Sequence, residues 1–472
     1  MTSPAASDFV VLHLGLGSFH RAHQAVYLQQ LIDAGDTRWS ILGANLRPDM
    51  AEVESALRVQ GGRYTLETVS PAGACRYQRI EAIREVLPYE PGLSAVVARG
   101  AEARTRIVSF TVTEAGYYLD PHDRLDLGTA ELASDLDRAR RGVAGSTIYG
   151  AISAILRARR AAAGGPVTLL NCDNLRHNGE RFRRGLLEFI EQAGDRELAD
   201  WVRRNTRCPN AMVDRITPRP PPELRQRVRD ATGWDDAAPV SGESFIQWVI
   251  EDDFANGRPE WEKVGVQLVD SVAPYEEAKI RILNASHSCI AWAGTLAGLQ
   301  YIHEGTQRAA IRRMAFDYVT DDVIPCLDRP GRPSPVDLPA YRDVVLERFG
   351  NPAIRDTNQR VAMDGFSKIP GFIAPTVRER LARRESIASV ALLPALFLAF
   401  LQRWHLGTLP YTYQDQGMDE PAAHAICAAA DPVAALGADR GLWGDVAAAA
   451  PLLDALRVAN ARVRQFIEGA QT

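Results

Sequence analysis

The chain has no cysteine framework: its six cysteines (Cys75, Cys172, Cys208, Cys289, Cys326, Cys427) include no C-x-x-C pair and no cysteine–histidine cluster at metal spacing. That excludes a disulfide scaffold and a structural zinc, and fits the reduced thiols of a cytoplasmic protein with no metal. Basic blocks are missing too. With 54 basic against 59 acidic residues the formal net charge is -5, and such a chain is not built to track nucleic acid or an anionic membrane. The opening MTSPAASDFVV lacks the positive region and apolar core of an export signal. Uninterrupted spanning runs are absent as well. Residues 282–302 are long enough but contain Asn284, Ser286, His287, Ser288, Thr295 and Gln300, and the run from Val390 to Leu401 has only 12 residues and holds Pro394. Both read as buried helices. Neither internal repeats nor low-complexity tracts occur, which removes solenoids and disordered chains from consideration.

What remains is an ordinary globular composition, 46% hydrophobic and 24% charged over 472 residues, and a length that implies two domains. FVVLHL (9–14) reads as a strand that ends at Gly15, followed by a helical pattern from His20 to Ala34 and a second strand, WSILGA (39–44). RYTLETV (63–69), RIVSFTV (106–112) and VTLL (167–170) are further strands, separated by helical patterns at 148–163 and 180–205. Alternation of this kind predicts a largely parallel sheet covered on both faces. After VGVQLVDSV (264–272) strand signals stop. The expected fold is therefore α/β: a Rossmann-like dinucleotide-binding domain over 1–268 and a mostly α-helical domain over 269–472.

The turn after the first strand, GLGSFH, supplies the first two glycines of G-x-G-x-x-G at Gly15 and Gly17, but His20 stands where the third belongs. The first glycine permits the tight turn and the second a close backbone approach to pyrophosphate at a helix start. At the end of the second strand an acid that would hold the adenosine ribose is replaced by Asn45, Leu46 and Arg47. Asn45 can bond ribose hydroxyls and Arg47 can accept a 2′-phosphate, so NAD and NADP both remain compatible with this stretch.

EEAKIRILNASH (276–287) sets polar groups among isoleucines and leucines. At about 100° per residue, Glu276, Lys279 and His287 share one wedge and Asn284 lies further round, so all four can line one wall. Glu276 with Lys279 also has the spacing of a surface ion pair. Burial argues for chemistry instead, because an apolar setting disfavours the charged form of a lysine and suits it as a general base. Asparagine N–H groups can meanwhile stabilise a developing alkoxide. TLLNCDN (168–174) ends a predicted strand at the edge where such sheets bind ligands, so Asn171, Asp173 and Asn174 are expected to face the cleft. VDRITP and DTNQRVAMDGFSK add Asp214, Arg360 and Lys368 as polar residues in apolar settings.

In order along the chain, GLGSFHRAHQAVYL, SFTVTEAGYY, TLLNCDNLRHNGERF, NAMVDRITP, SFIQWVIEDDF, PYEEAKIRILNASHS and TNQRVAMDGFSKIP resemble the polyol-specific long-chain dehydrogenases, the mannitol dehydrogenase family. The resemblance implies NAD-dependent oxidation of a secondary alcohol of a polyol to a ketose, with the substrate between the two domains. The serine of GLGSFHRAHQ, the whole of VTEAGYY and the uninterrupted PYEEAKIRILNASHSCIAWAGT favour the branch acting on D-arabinitol over those acting on mannitol or hexuronates. By the same resemblance Lys279 is the base, Asn174 and Asn284 hold the substrate oxygen, and Glu276 links the lysine to solvent. His287, Asp214, Arg360 and Lys368 contact polyol hydroxyls. The nucleotide, NAD with NADP open, is expected along Gly15, Gly17, Ser18, Phe19, His20, Arg21, Asn45, Arg47, Thr113 and Glu114. A monomer with a small-molecule substrate and no macromolecular partner completes the expectation.

Overall fold

The computed structural model describes residues 8–120 and 123–470. It divides into two compact units, Met1–Ser70 with Ala74–Ala273 and Pro71–Gly73 with Pro274–Thr472. The first unit carries β1 (Phe9–Leu14), β2 (Trp39–Ala44), β3 (Tyr64–Val69), β4 (Cys75–Ile80), β5 (Ile83–Val86) and β6 (Thr105–Phe110). It continues with β7 (Val167–Asn171), β8 (Thr206–Arg207), β9 (Ala211–Asp214), β10 (Val240–Glu243), β11 (Gln247–Glu251) and β12 (Gln267–Val269).

Six of these form one sheet in the order β5-β2-β1-β6-β7-β8, and every neighbouring pair is parallel. Counted within the sheet that order is 3-2-1-4-5-6, the doubly wound dinucleotide-binding arrangement, and it reverses between β1 and β6. Helices such as Gln24–Asp33, Ser94–Ala101 and Ile148–Ala161 make the crossovers that parallel pairing requires. Side chains alternate between two cores. Val10, Leu12 and Leu14 join Val108 and Phe110 on one face, while Val11 joins Ile41, Ile107 and Leu170 on the other.

Three expectations change. β3 is a strand, but it lies in a separate sheet, β10-β3-β4. Its polar Thr65 and Glu67 are buried, with Glu67 paired to Arg227, and such residues do not suit a sheet with apolar layers on both faces. The helix expected from His20 to Ala34 breaks at His23 (φ -127°, ψ -85°) into Ser18–Ala22 and Gln24–Asp33. The run 180–205 is also two helices, Asn178–Gln192 and Arg196–Asn205. Gly194 (φ 86°) turns the chain between them, and Asp195 caps the second by accepting from the Leu198 N–H at 3.0 Å.

Helices make up the second unit, which has no strand among its described residues. Its distinctive feature is three stretches of π-helix, Lys279–Asn284, Tyr318–Val323 and Ile369–Ile373, in which hydrogen bonds run i→i+5 rather than i→i+4. Of the two apolar runs singled out in the sequence, the first is helical as far as Leu296 and the second from Leu392 onward. No helix among the described residues is long and apolar enough to cross a membrane.

At the sheet's reversal point Gly15 has φ 113°, and a Cβ there would stand 2.5 Å from the Thr111 carbonyl oxygen. Gly15→Ala is expected to cost about 2 kcal/mol or more through strain and backbone displacement. Thermal unfolding and NADH fluorescence titration should both report the loss; wild-type values in both would show that the turn tolerates a side chain.

Candidate active site

The turn leaving β1 is held from three sides. Gly15 N–H donates to Ala44 O at 2.8 Å and Thr111 N–H to Leu14 O at 3.1 Å, while Leu16 N–H donates to the Asn45 side-chain oxygen at 2.9 Å. Gly17 then leads into helix Ser18–Ala22, and no heavy atom lies within 4 Å of where its Cβ would be. That open cradle at a helix start is what a pyrophosphate needs for close backbone approach, so the turn fits a dinucleotide.

His20 explains its own departure from the fingerprint. The third glycine usually serves close helix–strand packing; here the His20 ring stacks on His13 of β1 with centroids 3.4 Å apart and planes 12° from parallel. His13 Nε2–H donates to Gly15 O at 3.0 Å, which leaves Nδ1 to accept from the Ser109 hydroxyl at 2.8 Å. Burial lowers the His13 pKa to about 3, so this block is neutral.

Of the other expected nucleotide residues, Arg21 is only 2% exposed and turns inward, donating to Leu16 O at 3.3 Å and Ala238 O at 2.5 Å. It braces the turn rather than presenting a cation. Asn45 is likewise engaged, through Leu16 and by donating to Glu54 Oε2 at 3.3 Å. Arg47 is exposed and donates to the Tyr118 hydroxyl at 2.7 Å. Ser18 and Phe19 are half-buried, and Thr113 and Glu114 are exposed after β6.

The TLLNCDN cluster sorts differently from expectation. Asn171 and Asp173 are buried, because Asp173 accepts from Val112 N–H at 2.9 Å, Thr113 N–H at 2.9 Å and the Tyr117 hydroxyl at 3.1 Å. Asn171 in turn accepts from Asp173 N–H at 2.7 Å. These two side chains shape the loop after β6; burial raises the Asp173 pKa to about 6 against those donors. Asn174 is the exposed member. Asp214 closes β9 as a buried residue.

In the second unit the helix containing Glu276 is not one continuous α-helix. It runs α over Ala273–Ala278, π over Lys279–Asn284 and α again over Ala285–Leu296. Residues five apart, which an α-register would place about 140° from each other, come to one face in a π-turn. Lys279 and Asn284 are five apart. Glu276 and Lys279 are 5% and 7% exposed. From Arg281 to Leu296 every residue is buried except Asn284 and His287, so solvent reaches this stretch only at its two expected substrate contacts.

His287 lies face-on to Phe349 with centroids 4.2 Å apart, and its Nε2 is 3.3 Å from Asp356 Oδ2. Asp356 also takes the Arg360 guanidinium, from Nε at 2.7 Å and Nη2 at 2.5 Å. Lys368 Nζ–H donates to Val361 O at 2.6 Å. Phe349 and Asp356 were not foreseen. The D-x-x-x-R spacing from 356 to 360 is the signal that could have found the carboxylate; nothing local points to Phe349.

One further sequence signal is stronger than the motifs. The chain has only three lysines, Lys263, Lys279 and Lys368, among its 54 basic residues. Two of the three therefore fall on expected site positions. Burial lowers the Lys368 pKa to about 8, below its unfolded value, so the folded state binds fewer protons than the unfolded between about 8 and 10.5 and this group's contribution to stability rises with pH across that window. Reductive ¹³C-methylation should resolve three lysine signals, with Lys368 titrating at about 8; an ordinary lysine titration there would contradict the burial argument.

Residues 10–263 match the mannitol dehydrogenase Rossmann domain and residues 271–463 the mannitol dehydrogenase C-terminal domain. The chain is 58% identical over 460 residues to D-arabinitol 4-dehydrogenase of Ralstonia nicotianae, covering 97% of each. It is 54% identical over 461 residues to D-arabinitol 4-dehydrogenase of Klebsiella pneumoniae, covering 98% of this chain and 99% of that one. Among solved structures it resembles Pseudomonas fluorescens mannitol 2-dehydrogenase in ternary complex with NAD and D-mannitol, with a TM-score of 0.83 and 34% identity over 99% of this chain and 94% of that one.

Proposed function

The chain belongs to the mannitol dehydrogenase family of polyol dehydrogenases, and from that premise we propose that it oxidises D-arabinitol to D-xylulose, reversibly, with NAD. The polyol is D-arabinitol rather than mannitol in this reading because two relatives above 50% identity over nearly the whole chain carry that activity in their names. NAD is favoured by the NAD held in the solved mannitol 2-dehydrogenase.

In this mechanism the dinucleotide, held at Gly15 and Gly17, supplies the hydride acceptor. Lys279 takes the proton of the secondary hydroxyl as hydride leaves the same carbon, giving the ketone. It is only 7% exposed, the setting in which a lysine amine can serve as a general base. Asn284 and Asn174 donate amide N–H groups to the oxygen, whose negative charge peaks as its proton departs; neutral donors stabilise that charge without competing for the proton. Glu276, one helical turn before Lys279, passes the proton on to solvent. His287, Arg360, Lys368 and Asp214 bind the remaining hydroxyls.

The observation that carries this reading is the exposure pattern of Arg281–Leu296, in which Asn284 and His287 alone are not fully buried, beside a π-turn that begins at Lys279. Lys279→Ala should lower kcat by about 10²–10⁴-fold, the usual contribution of a general base, while NADH still binds. Substantial retained turnover at neutral pH would take the base role from Lys279. Wild-type rates on D-arabinitol, D-mannitol, D-fructose and hexuronates with NAD and NADP test the substrate and cofactor assignments, and a clear preference for D-mannitol or a hexuronate would overturn the first.

A further inference from the structure

His287 and Arg360 meet at one carboxylate. Asp356 is 8% exposed in its side chain whereas Arg360 is 66% exposed, so the acid is fixed in the interior and the guanidinium reaches outward from it. The Asp356 main chain is anchored as well, its carbonyl accepting from Ile302 N–H at 2.9 Å. Opposite the carboxylate, Phe349 covers the face of the His287 ring with planes 15° from parallel. The imidazole is thus held by a flat apolar wall on one side and aimed by an anion at one nitrogen.

Nε2 is the nitrogen nearest the carboxylate, 3.3 Å from Asp356 Oδ2 though outside hydrogen-bond geometry, and a negative charge at that distance favours the hydrogen on that nitrogen because a carboxylate without a proton can only accept. Burial would raise the Asp356 pKa, but the His287 ring and the Arg360 guanidinium outweigh it and hold the carboxyl well below its usual range. Burial lowers the His287 pKa more than Asp356 raises it, so the ring is neutral with its hydrogen on Nε2 and its lone pair on Nδ1.

We propose that Asp356 is a positioning residue for polyol recognition: it fixes His287 as a hydrogen-bond acceptor through Nδ1 and grips Arg360 through Nε and Nη2, setting an acceptor and a donor side by side for neighbouring hydroxyls. This rests on the reading above that His287 and Arg360 contact the polyol. A hydroxyl both donates and accepts, so an acceptor beside a donor matches a vicinal diol better than two donors would. The carboxylate touches no substrate atom; it acts through the two side chains it holds.

The test is Asp356→Asn. A carboxamide has one accepting end and cannot keep all three contacts to His287 and Arg360, so either the ring loses its partner or takes the opposite tautomer, as happens when a histidine's orienting carboxylate becomes an amide. The polyol KM should rise about 10–100-fold, the effect of losing hydrogen bonds to a charged group, with a smaller change in kcat and unchanged NADH affinity and melting temperature. Asp356→Glu, which keeps the charge, should recover part of the KM. Independently of turnover, ¹⁵N spectra of labelled histidine, assigned with His287→Gln, should show the Nε2–H form in the wild type. A wild-type polyol KM in Asp356→Asn, or an Nδ1–H tautomer in the native protein, would overturn the inference. If the native protein shows Nε2–H yet oxidises no polyol, the fault lies with the functional reading instead.

Discussion

The second unit is organised around six residues that hydrogen-bond in a π-register. An α-helix would have turned Lys279 and Asn284 well apart, and the i→i+5 register of Lys279–Asn284 removes that offset. Such a register is rare because its hydrogen bonds and packing are poorer, so neighbours must hold it. They do. The Tyr318 hydroxyl, on a second π-segment, donates to Arg281 O at 2.9 Å, and the Arg281 side chain is fixed by Glu277 and Glu379 at 2.7 Å each. The guanidinium is nearly buried, and its two carboxylates make that burial tolerable. Lys279, Asn284 and His287, the proposed base and its proposed substrate contacts, thereby share a rigid element, which suits positions that must be held to a fraction of an ångström.

The first unit solves a different problem, which is to expose backbone rather than side chains. Its glycine turn must stay open at Gly17 while being immobile underneath. Immobility comes from neutral groups: the stacked His13 and His20 rings, the Asn45 amide and carbonyls that accept from Arg21. A second tier lies across the reversal point, where buried Asp173 gathers the N–H groups of Val112 and Thr113 and so dictates the path of the loop after β6. Polar residues here are spent on holding main chain in place.

Strands and domain class were legible because hydrophobic alternation and run length are local properties. The strand order was legible only as a class, since pairing partners such as those of β3 are chosen by contacts far along the chain. The segment 276–287 was legible as a run of polar residues among apolar ones but in the wrong register, because a helical wheel assumes α geometry and the π-turn is stabilised by Tyr318 and Arg281, one of them nearly 40 residues away. Asn171 and Asp173 looked like ligand contacts for the same reason that Asp356 looked like nothing: composition shows that a residue is polar, and only tertiary structure shows whether its partner is main chain, another side chain or a substrate.

The scarcity of lysine gives the chain an electrostatic simplicity. Guanidinium groups stay protonated throughout the accessible pH range, so almost every cation on the molecule is a fixed charge. As alkali draws the equilibrium of alcohol oxidation toward the proton-releasing side, the cationic surface therefore keeps its strength. Side-chain amines number only three, so the field across the molecule hardly changes over that range.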